Sequence, residues 1–455
     1  MRVIINHKLT YLAGTANIEV MVSRLTLFPA KSAINDKGHL VIGGCDTVEL
    51  AAEFGTPLYV FDEFSLRQRC GELKQEFGRR YADIMVIYAG KAFINKALAI
   101  IFKEEGLGLD VVSAGELSIA RSVDFPLNKV YFHGNNKSAE ELGLALGWGI
   151  GRIVVDNFHE LKMLGEIARA KGKSPDILLR ISPAVDPHTH KYIVTGNIDT
   201  KFGFPVAQGE EAVATAMSMP ELNLLGLHFH IGSGIFEVEP YQQAISIILG
   251  FAAEMKRKHS LELRELGVGG GFAVQYLVGS PAPPISAYAQ AITSEVTNKC
   301  RKLELALPRL VVEPGRSVVG QAGVALYTAG VVKDIPGVRC YVSVDGGMAD
   351  NVRPALYGAK HEAVVASRMS AKDAEKVTIA GKFCESGDIL IQDIALPPVA
   401  AGDIIAIPDC GAYCLPLGSN YNASLKPAVV LVREGRARLI RRRETFDDLI
   451  RCDLL

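Results

Sequence analysis

Between residues 80 and 315 the chain repeatedly alternates a short apolar run with a segment of helical spacing. The runs are Ile84–Tyr88, Leu109–Val112, Val130–Phe132, Ile153–Val155, Ile177–Ile181, Leu224–Phe229, Leu263–Val268 and Leu310–Val312. Between them, Ala139–Trp148, Glu160–Ala170 and Tyr241–Arg257 repeat apolar residues at the interval of a helix face. Eight strand–helix units in sequence predict an α/β fold built on a (β/α)8 barrel. A doubly wound open sheet is the alternative, but it usually has fewer strands.

The texture changes on either side. After residue 320, Val324–Thr328, Val338–Val344, Glu375–Ile379, Asp403–Ile407, Ala428–Val432 and Ala437–Arg441 read as short strands between Gly, Pro and Asp turns. His39–Ile42 and Pro57–Phe61 read as strands too, and are expected to join the same β-rich domain. That domain, of Greek-key or β-barrel-like character, would then be formed by the N- and C-terminal segments, with the barrel inserted between them. The expected boundaries are 23–64 and 316–455 for the β domain and 65–315 for the barrel. Residues 1–22 carry no core-like pattern and read as a disordered arm or an over-extended start, with Met21 as the alternative first residue.

With 455 residues there is ample material for two or three domains. The net charge of −1 gives no pull toward nucleic acid or an anionic membrane. No apolar run has spanning length. The eight cysteines contain no CxxC pair, so no structural zinc is expected, and Cys410 and Cys414 read as small core residues. No export signal is recognisable, so reduced thiols and a cytoplasmic location are expected.

The polar residues collect where the strands end, which in such a barrel is where function sits. Lys91 follows the first run. Asp110-Val-Val-Ser113-Ala-Gly-Glu116 marks the second, His133-Gly-Asn135 the third, Asp156-Asn157 the fourth and Arg180 the fifth. His228-Phe-His230-Ile-Gly232-Ser233-Gly234 ends the sixth, Gly269-Gly270-Gly271 the seventh and Glu313-Pro-Gly315-Arg316-Ser317 the eighth. A desolvated lysine amine can attack a carbonyl. The plain alternative is a surface lysine at a strand terminus. Three glycines let the backbone approach a ligand and aim amides at an anion, or simply turn the chain. Their spacing is not that of a dinucleotide fingerprint. Arg316, one strand later, adds a guanidinium that can clamp a phosphate or carboxylate through two parallel hydrogen bonds.

His228 and His230 fall on one face of their strand and Phe229 on the other. A metal reading is set aside: amidohydrolase barrels place such a pair near the first strand and need an Asp after the eighth. His230 is then available to stack on a flat ring, and His228 reads as structural. His188 and His190 read as loop residues.

Taken in order, these segments resemble the group IV, alanine-racemase-type pyridoxal-phosphate decarboxylases, and among them the diaminopimelate decarboxylases. The resemblance spans residues 25 to 450. It rests on Tyr88-Ala-Gly-Lys91-Ala, Gly226-Leu-His-Phe-His-Ile-Gly-Ser233, Glu313-Pro-Gly-Arg316-Ser, Asp345-Gly-Gly-Met348, Arg353-Pro-Ala-Leu-Tyr357, Cys384-Glu-Ser-Gly-Asp388 and Gly411-Ala-Tyr413. It implies pyridoxal 5'-phosphate as cofactor, carried on Lys91. It implies His230 stacked on the ring and Glu313 at the ring nitrogen. Asp110 and Gly315 fall in the cofactor set, and Ser233, Gly269, Gly270, Gly271, Arg316 and Tyr413 surround the phosphate. For the substrate it implies Arg316, Arg353 and Tyr357 at the distal carboxylate, Glu385 at the distal ammonium, Tyr413 also in the substrate set and Cys384 as proton donor, with no metal. Arg316 is claimed for two jobs, which sequence cannot divide. Two positions depart from the family pattern: Gly234, where Gln is common, and Gly267, where an acidic residue is common.

These residue types suit a decarboxylation. Loss of carbon dioxide leaves a carbanion at Cα, which a protonated cofactor ring absorbs and a carboxylate partner favours. A thiol keeps its proton at neutral pH and can return one. Racemases of the same fold need two opposed proton carriers, and only Cys384 matches. A second arginine suits a substrate with a second carboxylate, hence an amino-acid substrate such as meso-2,6-diaminopimelate, with L-lysine and carbon dioxide as products. A paralogue acting on D-ornithine, D-lysine or a siderophore precursor is the alternative. The resemblance further implies a homodimer with shared active sites.

Overall fold

Eight parallel strands close on themselves: Ile84–Ala89, Gly108–Val111, Val130–Phe132, Arg152–Val155, Asp176–Ser182, Asn223–His228, Glu265–Gly267 and Arg309–Val312. Each pairs with the next, and the eighth returns to the first. These are the eight expected runs, so the barrel is confirmed over the open sheet. The computed structural model describes residues 23–186, 200–373 and 375–455. The arm expected over residues 1–22, and His188 and His190, lie outside the described residues.

The strands were legible because both of their faces are buried, which makes them nearly continuous apolar runs. Ile87, Tyr131, Val154, Leu178, Leu225 and Val311, with Met85, form one buried cluster drawn from six strands. This is the packed interior that makes such a barrel a core rather than a pore. At the N-terminal ends, Arg152 Nη2 donates to Glu265 Oε2 at 3.0 Å and the Tyr131 hydroxyl donates to Glu265 Oε1 at 2.9 Å. That buried pair has its hydrogen bonds filled and belongs to stability.

Several strand-end polar residues are helix caps. Ser113 caps Ala114–Arg121, Ser138 forms a capping box with Glu141 on Ala139–Trp148, and Asn157 caps Phe158–Lys171. Each fills a backbone donor that the first turn leaves open, a contribution of about 1 kcal/mol. Gly149 and Gly172 stop two of these helices with left-handed backbone, which glycine adopts without strain.

The chain divides into two units. One is Leu66–Val274 with Ala282–Gly320, which holds the barrel. The other comprises the described residues up to Ser65, Gln275–Pro281 and Gln321–Leu455. In this second unit nine strands form a mixed sheet, seven of them in the order Ile389–Leu396, Glu375–Ala380, Arg339–Val344, Gly323–Ile335, Leu58–Asp62, Ala428–Arg433, Arg436–Arg441. Ile404–Ile407 pairs with Gly323–Ile335 and also with Val364–Val365. Leu58–Asp62 sits between Gly323–Ile335 and Ala428–Arg433. The N-terminal strand is therefore built into the middle of the C-terminal sheet. The His39–Ile42 run behaves differently: Leu40–Ile42 belongs to a separate three-stranded sheet with Ala33–Ile34 and Cys45–Asp46. Leu40, Leu58, Val60, Val324, Leu326, Ile404 and Val430 share one core. Among the described residues, no helix is long and apolar enough to cross a membrane.

Candidate active site

Six of the barrel's side chains converge at the C-terminal ends of its strands. Lys91 lies in the helical turn Gly90–Ala92 directly after the first strand. Its Nζ donates to Asp110 Oδ2, on the second strand, at 3.3 Å. The lysine side chain is 37% exposed while the Asp110 side chain is wholly buried, so the amine faces outward from a buried anion. Glu313 follows the eighth strand and is buried. Its carboxylate meets two histidines: His228 Nε2 lies 3.2 Å from Oε2, and His133 Nε2 lies 3.4 Å from Oε1. His230 follows the sixth strand, and burial together with the Lys91 charge holds its ring well below the usual imidazole range. Glu116, whose Oε2 accepts the Val112 amide at 2.6 Å, is a carboxyl that burial pushes up to about 7.

Around these groups the backbone is tightly packed. A Cβ on Gly269 would come within 2.5 Å of His230 Nδ1, one on Gly270 within 2.0 Å of the Glu313 carbonyl, and one on Gly271 within 2.2 Å of the Gly232 carbonyl. Gly269 and Gly271 also have positive φ, of 68° and 103°. Glycine is thus required by packing alone, and the backbone turns as an anion cradle does. Arg316 donates from Nε and Nη2 to Ser233 Oγ at 3.3 and 3.2 Å, which holds the guanidinium by a neutral partner. Gly315 packs against Ala89 and Ala92, the neighbours of Lys91: a Cβ there would lie 3.1 Å from each of their Cβ atoms.

This set fits pyridoxal phosphate. Its aldehyde needs a lysine amine, its phosphate suits a glycine cradle with a guanidinium, and its ring nitrogen suits a buried carboxylate. Glu313 Oε1 and Asp110 Oδ1 are buried without a hydrogen bond among the described residues, which suits carboxylates placed to receive a donor.

The second unit carries the other expected residues. Arg353 opens the short helix Arg353–Tyr357 and is buried. Its guanidinium lies 4.6 Å from the Tyr276 ring centre, and Nη1 lies 3.5 Å from His361 Nε2. Tyr357 ends that helix, half-buried. Cys384 and Glu385 are exposed in the turn before Ile389–Leu396. The Cys384 amide donates to Asn422 Oδ1 at 3.0 Å, and its carbonyl accepts from the Tyr421 hydroxyl at 3.2 Å. Asp388 braces this turn, its carboxylate accepting the Phe383 amide at 2.8 Å and the Met348 amide at 2.7 Å. Tyr413 is half-buried with φ 61°.

The sequence gives several residues no part in the site. His133 carries no role there and His228 reads as structural; both stand at strand ends, but the carboxylate they share is not visible in sequence. Asp388 was inside a quoted motif without a role. Tyr276 and His361 gave no sequence signal, because they meet Arg353 only through tertiary folding.

Residues 64–320 match the family model of the pyridoxal binding domain of pyridoxal-dependent decarboxylases. The chain is 46% identical over 422 residues to a diaminopimelate decarboxylase of Bacillus subtilis (strain 168), covering 92% of this chain and 96% of that one. Among solved structures, the diaminopimelate decarboxylase of M. jannaschii in co-complex with L-lysine matches with a TM-score of 0.88 at 36% identity, over 94% of this chain and 98% of that one. The Helicobacter pylori enzyme complexed with L-lysine matches with a TM-score of 0.83 at 32% identity, over 89% and 98%.

Proposed function

Since the chain belongs to the diaminopimelate decarboxylases, a family of pyridoxal-dependent decarboxylases, we propose that it releases carbon dioxide from meso-2,6-diaminopimelate and leaves L-lysine. Bound pyridoxal phosphate supplies an electron-accepting ring that stabilises the charge left at Cα. Lys91 is the amine that carries the cofactor, and Asp110 beside it orients that amine. Glu313 serves the ring nitrogen and His230 stacks on the ring. Gly269 to Gly271, Gly315, Ser233, Arg316 and Tyr413 hold the phosphate. Arg353 and Tyr357 grip the distal carboxylate, with Arg316 and Tyr413 alongside, and Glu385 takes the distal ammonium. Cys384 returns the proton to Cα after carbon dioxide leaves. In the assembled enzyme two chains pair, and each site takes Lys91 from one chain and Cys384 from the other.

One observation carries the substrate reading. Arg353 is buried, yet among the described residues its guanidinium makes no ion pair with a carboxylate; its neighbours are the Tyr276 ring, the His361 imidazole and the Cys414 thiol. A buried cation without an anion is costly, and a substrate carboxylate relieves that cost. The test is carbon dioxide release from meso-diaminopimelate, D-lysine and D-ornithine in parallel. The expected kcat/KM for diaminopimelate is at least about a hundredfold above the others. A preference for either monocarboxylic diamine would overturn the substrate assignment in favour of the paralogue.

A further inference from the structure

Beneath the cofactor groups, Glu313 is gripped by two imidazoles from distant parts of the chain. His228 Nε2 lies 3.2 Å from Oε2 and 3.1 Å from Oε1. His133 Nε2 lies 3.4 Å from Oε1 and 3.7 Å from Asp110 Oδ1. The two rings meet edge to face, with centres 4.8 Å apart. All three side chains are buried. The His228 ring also fills the space beside Gly267: a Cβ there would lie 2.6 Å from its Cδ2. Any side chain at Gly267 would collide with the ring as it is placed, so the glycine and the His228 position belong together.

We propose that His133 and His228 are positioning residues that lock the Glu313 carboxylate in orientation and charge, so that it alone serves the cofactor's ring nitrogen. This rests on the cofactor reading above and adds two residues to it. His228 Nε2 hydrogen-bonds Oε2, and a carboxylate only accepts, so His228 holds its proton on Nε2, while His133 Nε2 faces Oε1 at 3.4 Å without a hydrogen bond. His228 Nδ1 has no hydrogen-bond partner among the described residues, so its one polar contact is the one to Glu313. Burial pushes His228 down to about 4, which leaves it a neutral donor at neutral pH. Burial by itself would push Glu313 up; the two histidines outweigh it and hold the carboxyl well below its usual range. The remaining charged groups facing this cluster are Asp110, with Lys91 on it, and Arg180, whose Nη1 lies 3.9 Å from Asp156 Oδ1. None of them makes an ion pair with Glu313 among the described residues, so its only close partners here are the two imidazoles.

The three donor atoms lie within 4.8 Å of one another, a spacing that zinc also accepts, so metal content belongs in the test. The experiment compares His133→Met, His228→Met, His228→Gln and Glu313→Gln holoenzymes, and the double variant His228→Met with Glu313→Gln. The readouts are kcat, KM and the pH titration of the bound cofactor's visible absorption. Glutamine places an N–H near the Nε2 position; methionine keeps volume and removes the donor. Each Met variant is expected to lose at least about tenfold in kcat with KM little changed, and to shift the cofactor's absorption as Glu313→Gln does. His228→Gln should restore most of both. Because the histidine acts through Glu313, the double variant should be no worse than about twofold below Glu313→Gln alone. Multiplying losses would overturn the proposal, as would stoichiometric zinc in the wild type that disappears in His228→Met. A damaged Glu313→Gln beside wild-type-like Met variants would overturn this inference alone. A silent Glu313→Gln would overturn the ring-nitrogen reading itself.

Discussion

The barrel and the β domain carry their functional side chains in different ways. In the barrel, Asp110, Glu313 and Arg316 are buried, and each has a neighbour from another strand end: Lys91, the two histidines and Ser233. In the β domain, Cys384 and Glu385 are exposed on a turn that is fixed by its backbone, through Asn422, Tyr421 and Asp388. A site that must tune a ring needs low dielectric and rigid partners. A residue that must deliver a proton needs a fixed backbone and an accessible side chain. Arg353 is the β domain's exception. It is buried, and the face of the Tyr276 ring stabilises its charge.

This division of labour can be broken at several points. The largest effect belongs to the barrel. Lys91→Ala should lose covalently held cofactor and all measurable turnover, and borohydride reduction with peptide mapping of the wild type should label Lys91. A label on another lysine breaks the assignment. Next is the β-domain turn: Cys384→Ala should keep wild-type cofactor absorption yet lose about a hundredfold or more in kcat. Wild-type turnover would mean that another group donates the proton. Arg353→Ala comes third, with a loss of about 2–4 kcal/mol of transition-state binding on diaminopimelate. That handicap should shrink on substrates lacking the distal carboxylate, and an equal loss on both would remove Arg353 from recognition.

The smallest effect is on stability, and it returns to the barrel. Burial raises the Glu116 carboxyl to about 7, above its value in an unfolded chain. The unfolded state then releases the proton first as pH rises, so Glu116 lowers stability progressively from the ordinary carboxylate range up to about 7, and no further above it. The urea midpoint of the wild type relative to that of Glu116→Gln should fall as pH rises across that window. Parallel slopes would mean that the carboxyl is not raised.

The barrel was legible in the sequence because strands buried on both faces leave continuous apolar runs, and because its polar groups sit where those runs end. The β domain was less so. Ile389–Leu396 escaped because Asp393 takes a left-handed φ of 58° and the pairing with Glu375–Ala380 shifts register, which breaks strict alternation. Gln275–Pro281 follows the seventh barrel strand yet belongs to the other unit, and no local pattern announces a change of tertiary partner. The roles of Lys91 and Cys384 came from motif resemblance. The contact between His228 and Glu313 joins residues 85 apart, which strand periodicity does not encode.

We propose that the buried barrel site and the exposed β-domain turn serve one reaction from two different chains. Subunit mixing tests it directly. Lys91→Ala and Cys384→Ala proteins, each inactive, are combined in equal amounts under conditions that exchange subunits. Random pairing makes about half of the dimers mixed, each with one intact site and one doubly damaged site, so activity should return to about a quarter of wild type. If exchange is verified and no activity returns, both residues serve a site within one chain, and the claim is contradicted.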